Sequence, residues 1–161
     1  MYFNLFLLVG VLGALTAMVV TQSWLLLGWA AMIHIYHWLQ CATPKRFDGE
    51  TARNVFAESI IMQCALCIMA AVMTGFAGAY LIAAGMIANT VVVVANEGFM
   101  PILNGSSANI CYTEADERTR AVWLCDLFRT TETSFGEGVV SAGDALECIG
   151  IWVLAAGILL A

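Results

Sequence analysis

Residues 2–40 run apolar for about forty positions, broken only by Thr21-Gln22-Ser23. Such a run leaves few folds open. Crossing the hydrocarbon core of a bilayer takes about 20 apolar residues of helix, so the stretch is too long for one crossing and fits two, joined by a tight hairpin at the polar interruption. Comparable runs return near residues 54–74, 77–97 and 142–161. With 61% of its residues hydrophobic and 11% charged, a soluble fold would need a core larger than 161 residues can cover. The sequence predicts an all-α membrane protein, one integral membrane domain over 1–161. Its five transmembrane helices are expected at about 2–20, 23–40, 54–74, 77–97 and 142–161.

Charge orients these spans. With five crossings, the loops at 41–53 and 98–138 share a side with the N-terminus. All six basic residues, Lys45, Arg46, Arg53, Arg118, Arg120 and Arg129, fall there. The positive-inside rule makes that side cytoplasmic or matrix, favouring a bacterial cytoplasmic membrane with a mitochondrial inner membrane as the alternative. Trp24 and Trp38 stand near opposite ends of the second span, as interfacial aromatics do. The opening MYFNLFLLVG lacks the basic region and cleavage site of a signal peptide, so the first span is expected to be retained. A net charge of -6 with no basic patch excludes nucleic acid as a partner; lipids and other membrane subunits are expected instead.

Within the polar loop, 113–129 reads as an amphipathic helix. Thr113 and Asp116 have capping-box spacing, and Glu114, Asp116 and Glu117 suit the positive end of a helix dipole. Ala121, Leu124, Leu127 and Phe128 would line one face with Trp123 beside it. Such a helix lies either at the membrane interface or over the end of the bundle.

Packing signals are clearer than chemical ones. Gly143, Gly150 and Gly157 recur every seven residues, a smooth stripe that lets another helix approach, within the chain or from a partner. Asn89 and Asn96 share the same spacing on the fourth span and are expected to form interhelical hydrogen bonds, a polar ligand pocket being the alternative.

Three groups could carry chemistry. His34 and His37, at i and i+3, could face one haem or pigment, but two histidines make an incomplete site, and interfacial hydrogen bonding is the plainer role. Asp144 follows Ser141 by three and so has a capping explanation; Glu147, one turn deeper, is costly when ionised in a membrane and is a functional candidate for that reason. With Asp126, and Glu58 on the third span, these carboxylates could activate water as membrane aspartyl proteases do. Cys64-x-x-Cys67 lies mid-span, away from the helix N-terminus that redox motifs use, and reads as two small apolar residues. The six cysteines form no ligand pattern, and no metal is expected.

Two family resemblances follow. Asn89, Val92, Ala95, Asn96, Gly98, Met100 and Pro101, then Ser141, Gly143, Asp144, Leu146 and Gly150, resemble two motifs of a bacterial membrane family known as domain of unknown function 5317. Leu124-Cys125-Asp126 is similar to the segment before the second motif. The agreement covers about 78–161 and implies fold and topology without supplying an activity. Ser23-Trp24, Trp29 and Glu50–Phe56 are similar to early helices of the antiporter-like subunit 2 of respiratory NADH dehydrogenase, over about 40 residues. The acid and lysine that such subunits bury are missing here, which implies a structural remnant without a pump.

The expected function is that of a non-catalytic, helix-packing accessory subunit of a larger membrane complex, possible members being respiratory or other energy-converting assemblies. A small membrane enzyme using Glu147, Asp144 and Asp126 is one alternative. A cofactor-binding electron-transfer or pigment protein using His34 and His37 is the other.

Overall fold

The computed structural model describes residues 49–103, 111–133 and 136–160, with isolated helical positions between 12 and 31. Helix α1 spans Gly49–Thr74, α2 Ala77–Ala95 and α3 Ala142–Leu160; each is long and apolar enough to cross a membrane. Among the described residues there are these three candidate spans where the sequence predicts five. Apart from those isolated positions the spans expected at 2–20 and 23–40 lie outside the described residues, as do His34 and His37.

Local chemistry sets the helix limits. Gly75, at φ 69, adopts the left-handed conformation that ends α1, and its N–H donates to Ala71 O at 2.9 Å. Only Phe76 separates it from α2, so the two helices fold back on each other as a hairpin. The end of α2 closes through left-handed Glu97 (φ 58), with Gly98 N donating to Val93 O at 2.8 Å. Gly98, at φ 91, also makes room for the Arg53 stem, and the Arg53 guanidinium lies 5.4 Å from the Phe99 ring centroid. That contact ties the start of α1 to the end of α2.

Beyond α2 the chain is not all-α. Strands β1 (Met100–Ile102), β2 (Tyr112–Glu114), β3 (Asp126–Thr133) and β4 (Gly136–Ser141) form a sheet in the order β2-β1-β3-β4. β1 is parallel to both of its neighbours and β3 is antiparallel to β4, with Asp126 opposite Ser141.

The amphipathic helix expected at 113–129 is therefore replaced by β2, a turn, a short 3-10 segment at Val122–Leu124 and β3. Asp116 accepts from Arg118 N at 2.8 Å and from Thr119 Oγ1 at 3.2 Å, turning its side chain to a turn where a cap was expected. Ala121 then sits at φ 53, which a continuing helix forbids. Thr130, Thr131 and Thr133 favour the strand that follows. Trp123 remains 72% exposed beside this turn.

The glycine stripe on α3 faces α2. A Cβ added at Gly150 would meet Ile82 N at 2.7 Å and Gly78 O at 2.8 Å. One added at Gly85 would meet Gly143 O at 2.5 Å and Glu147 Cγ at 2.6 Å. Gly78 and Gly85 thus match Gly150 and Gly143 in antiparallel register, and two helix backbones meet where no side chain would fit. Gly157 is looser, with its nearest neighbour Phe76 at 3.4 Å.

Two apolar clusters fill the interior. One joins Cys64, Cys67 and Ala71 of α1 to Ala79, Ala83 and Met86 of α2 and Leu154, Ala155 and Ile158 of α3. The other joins Phe56 and Ile60 to Val92, Val93, Met100, Cys111 and Cys125, beneath the sheet.

Candidate functional site

Gln63 and Asn89 fall along their helices between the residues of these two clusters. Asn89, 8% exposed, faces α3 where Gly85 and Gly143 bring the two backbones together. Its Nδ2 donates to Asp144 Oδ1 at 2.9 Å and to Glu147 Oε1 at 3.1 Å. Its Oδ1 accepts from Ser141 Oγ at 2.7 Å. One amide thereby holds two carboxylates of α3 and the hydroxyl of Ser141 at the end of β4.

The start of α3 builds the other half. Ser141 N donates to Asp144 Oδ2 at 2.9 Å, and Asp144 N donates to Ser141 Oγ at 2.9 Å. This is the reciprocal capping box that the Ser-x-x-Asp spacing predicts. Asp144 has a second role here, because its other oxygen is bound by Asn89.

The sheet delivers the third carboxylate. Asp126 opens β3 opposite Ser141, its carbonyl accepting from Leu103 N at 3.0 Å. Its side chain is 3% exposed. Burial, and then the negative charge of Asp144, push the Asp126 carboxyl up from 3.8 to about 7. A group of that kind exchanges a proton near neutral pH.

Of the three carboxylates singled out from the sequence, Asp144 and Glu147 meet at Asn89, while Asp126 lies across the β3–β4 ladder from Ser141 and feels the charge of Asp144. Asn96 goes elsewhere: its Nδ2 donates to Val92 O at 2.8 Å and to Arg120 O at 3.0 Å, while its Oδ1 accepts from Arg120 N at 2.9 Å. It pins the turn at Arg120 to the end of α2 and makes no bond between helices. Gly143 and Gly150 line the α2 contact, Gly157 does so only loosely, and Glu58 is exposed on α1, apart from the cluster.

The described thiols are buried. Cys64 and Cys67 belong to the apolar core, and burial pushes Cys111 up to about 11. Cys125 is raised by burial and then by the charge of Asp126. Cysteines in such surroundings are poor nucleophiles. Among the described residues no three His, Cys, Asp or Glu side chains gather as metal ligands do.

Two features escape a reading of the sequence. Gly78 and Gly85 repeat the spacing of Gly143 and Gly150, a visible signal, but they stand among alanines that read equally well as ordinary span. Gln63 is an amide in the middle of an apolar helix, 4% exposed.

Together these features define a helical protein whose three apolar helices are suited to a membrane, with a small sheet against their polar end and a half-buried carboxylate–amide cluster between. The chain belongs to a Family of unknown function (DUF5317), which matches residues 16–156. The match reaches well into the N-terminal half, beyond the expected 78–161. No curated protein and no solved structure matches the chain, and the similarity to NADH dehydrogenase subunit 2 finds no support.

Proposed function

We propose that this chain is a proton-binding membrane protein whose working site is the carboxylate cluster Asp126, Asp144 and Glu147. The observation that carries this reading is the single Asn89 amide, which brings Asp144 and Glu147 to within 3.1 Å of one nitrogen inside a helix pair. Two carboxylates held this close repel when both are charged, and a bound proton relieves that repulsion. The glycine contacts pack the helices around them tightly, and a proton is a ligand that needs no cavity. That favours proton binding over the hydrolytic alternative based on the same residues.

Protonation at this place links the helices to the sheet. Asp144 caps α3, Asp126 starts β3 next to it, and Asn89 belongs to α2. A proton gained or lost changes the interaction among all three elements.

The test is infrared difference spectroscopy of the protein in lipid vesicles between acid and alkaline pH. A protonated-carboxyl band should appear at acid pH, diminish in Glu147→Gln or Asp144→Asn, and lose a separate component in Asp126→Asn. An identical difference spectrum in wild type and all three variants would refute the proposal.

The accessory-subunit reading rests on a different observation. All three helices turn large apolar side chains outward, among them Met69 and Val72 of α1, Val91 and Val94 of α2, and Ile149 and Leu159 of α3. Lipid or other membrane subunits would cover them. In this reading the five-span topology holds, with charged loops on the cytoplasmic or matrix side, and the cluster serves an assembly. Gentle solubilisation and native-gel migration separate the cases: migration within a large complex supports a subunit, and migration as a monomer or small oligomer excludes one.

A further inference from the structure

Asn89 touches both carboxylates of α3, but their surroundings differ. Asp144 accepts at each of its oxygens, from Asn89 Nδ2 at 2.9 Å and from the backbone N–H of Ser141 at 2.9 Å. It is also the third residue of α3, where the positive end of the helix dipole favours an anion. Glu147 stands one turn deeper, and among the described residues the donor that reaches it is Asn89, at Oε1 and 3.1 Å. Hydrogen bonds donated to a carboxylate favour its charged form. A proton on either oxygen of Asp144 would weaken a bond already made there, and the Ser141 N–H belongs to the backbone and cannot turn away.

Ser141 decides which end of the Asn89 amide faces the pair. Its Oγ accepts from Asp144 N at 2.9 Å, which leaves its one hydrogen for another partner. That hydrogen goes to Asn89 Oδ1, 2.7 Å away. With the oxygen end held by a hydroxyl, the nitrogen end faces the carboxylates and presents donors in every protonation state of the pair. The other titratable groups in reach are Asp126 of β3, which feels the charge of Asp144, and Cys67 of α1, which feels that of Glu147. Both are acids, so neither supplies a positive charge.

We propose that Asp144 is the standing charge of this pair and Glu147 the member that takes up and releases the proton, with Ser141 as the positioning residue that keeps the assignment. The inference rests on the reading of the cluster as a proton site. On release the O–H bond of the Glu147 carboxyl breaks, its electron pair stays on the carboxylate, and the proton passes to water. Asp144 keeps the same two bonds in both states. The joint between α2, α3 and the end of β4 therefore holds while the deeper carboxylate titrates.

A coupled pair titrates as a unit, so a pH profile alone does not say which member holds the proton. Isotope labels do. The experiment is the infrared difference spectrum of the full chain in lipid vesicles, between acid and alkaline pH, with carbon-13 in the side-chain carboxyl of either glutamate or aspartate. The protonated-carboxyl component that Glu147→Gln removes should move with the glutamate label and stay in place with the aspartate label. Ser141→Ala frees the amide to turn over, and a new aspartate-labelled component should then appear that adding Asp144→Asn removes. In the wild type, an aspartate-labelled component that Asp144→Asn removes and Asp126→Asn spares would overturn this inference alone. So would a folded Ser141→Ala protein that keeps the wild-type assignment. Absence of any component sensitive to Glu147→Gln or Asp144→Asn would overturn the proton reading and this inference with it.

Discussion

Replacing Asp126 with asparagine should make the protein's stability less dependent on pH, in a stated direction. The side chain is 3% exposed, and its carboxyl is raised to about 7 from 3.8 by burial and by Asp144. An acid whose pKa is raised by folding binds its proton more tightly in the folded state. Between the two values the unfolded chain has lost the proton while the folded chain keeps it, so stability falls as pH rises through that window and levels off above about 7. At about 1.4 kcal/mol per pH unit, the full window is worth on the order of 4 kcal/mol, with about 3 kcal/mol falling between pH 5 and pH 7. Water entry and side-chain relaxation would lower both figures. Asp126→Asn keeps the shape and removes the titration. Reversible unfolding in mixed detergent micelles at about pH 5 and about pH 8 provides the comparison. The wild type should be less stable at the higher pH, and the variant should lose most of that difference. Equal pH dependence in the two proteins would refute the reasoning.

The helix contacts give two contrasting outcomes. Gly150→Leu places a side chain against the backbone of Ile82 and Gly78 and should destabilise the fold by about 3 kcal/mol or more, whereas Gly157→Leu, facing only the Phe76 ring, should cost less than about 1 kcal/mol in the same unfolding assay. Asn89→Leu removes the donor shared by Asp144 and Glu147 while Asp144 keeps its bond from Ser141 N, and should cost about 1–3 kcal/mol, with a smaller loss at acid pH. Asn96→Ala should loosen the turn at Arg120, read as faster amide hydrogen exchange at Arg120, without altering the carboxyl infrared band.

How much of this is legible in the sequence depends on the range of the interaction. The three helices are, because an apolar run of span length has one stable answer in a membrane. Their limits are less so: α1 begins at Gly49, inside a segment whose charges suggest a loop. The capping box at Ser141 and Asp144 is local, and the structure contains it as spaced. The same spacing at Thr113 and Asp116 leads astray, because Asp116 finds Thr119 and Arg118 within a turn, and the threonines beyond belong to a strand.

The cluster lies between these cases. Glu147 is conspicuous as an acid in an apolar helix, and Asn89 as an amide in another, but nothing in the sequence states that they meet. Their meeting depends on the register in which Gly85 packs on Gly143, and that register depends on matching glycines a long way apart in the chain. Asp126 reaches the site only through the pairing of β3 with β4, which a helical reading of 113–129 conceals.

The account depends most directly on the Asn89 amide holding two carboxylates at once. Proton–nitrogen NMR of the asparagine side chains in micelles measures this for each hydrogen separately. Two Asn89 Nδ2 protons should be slow to exchange, one shifting in Asp144→Asn and the other in Glu147→Gln. Rapid exchange of both protons with solvent, and indifference to both substitutions, would contradict the account.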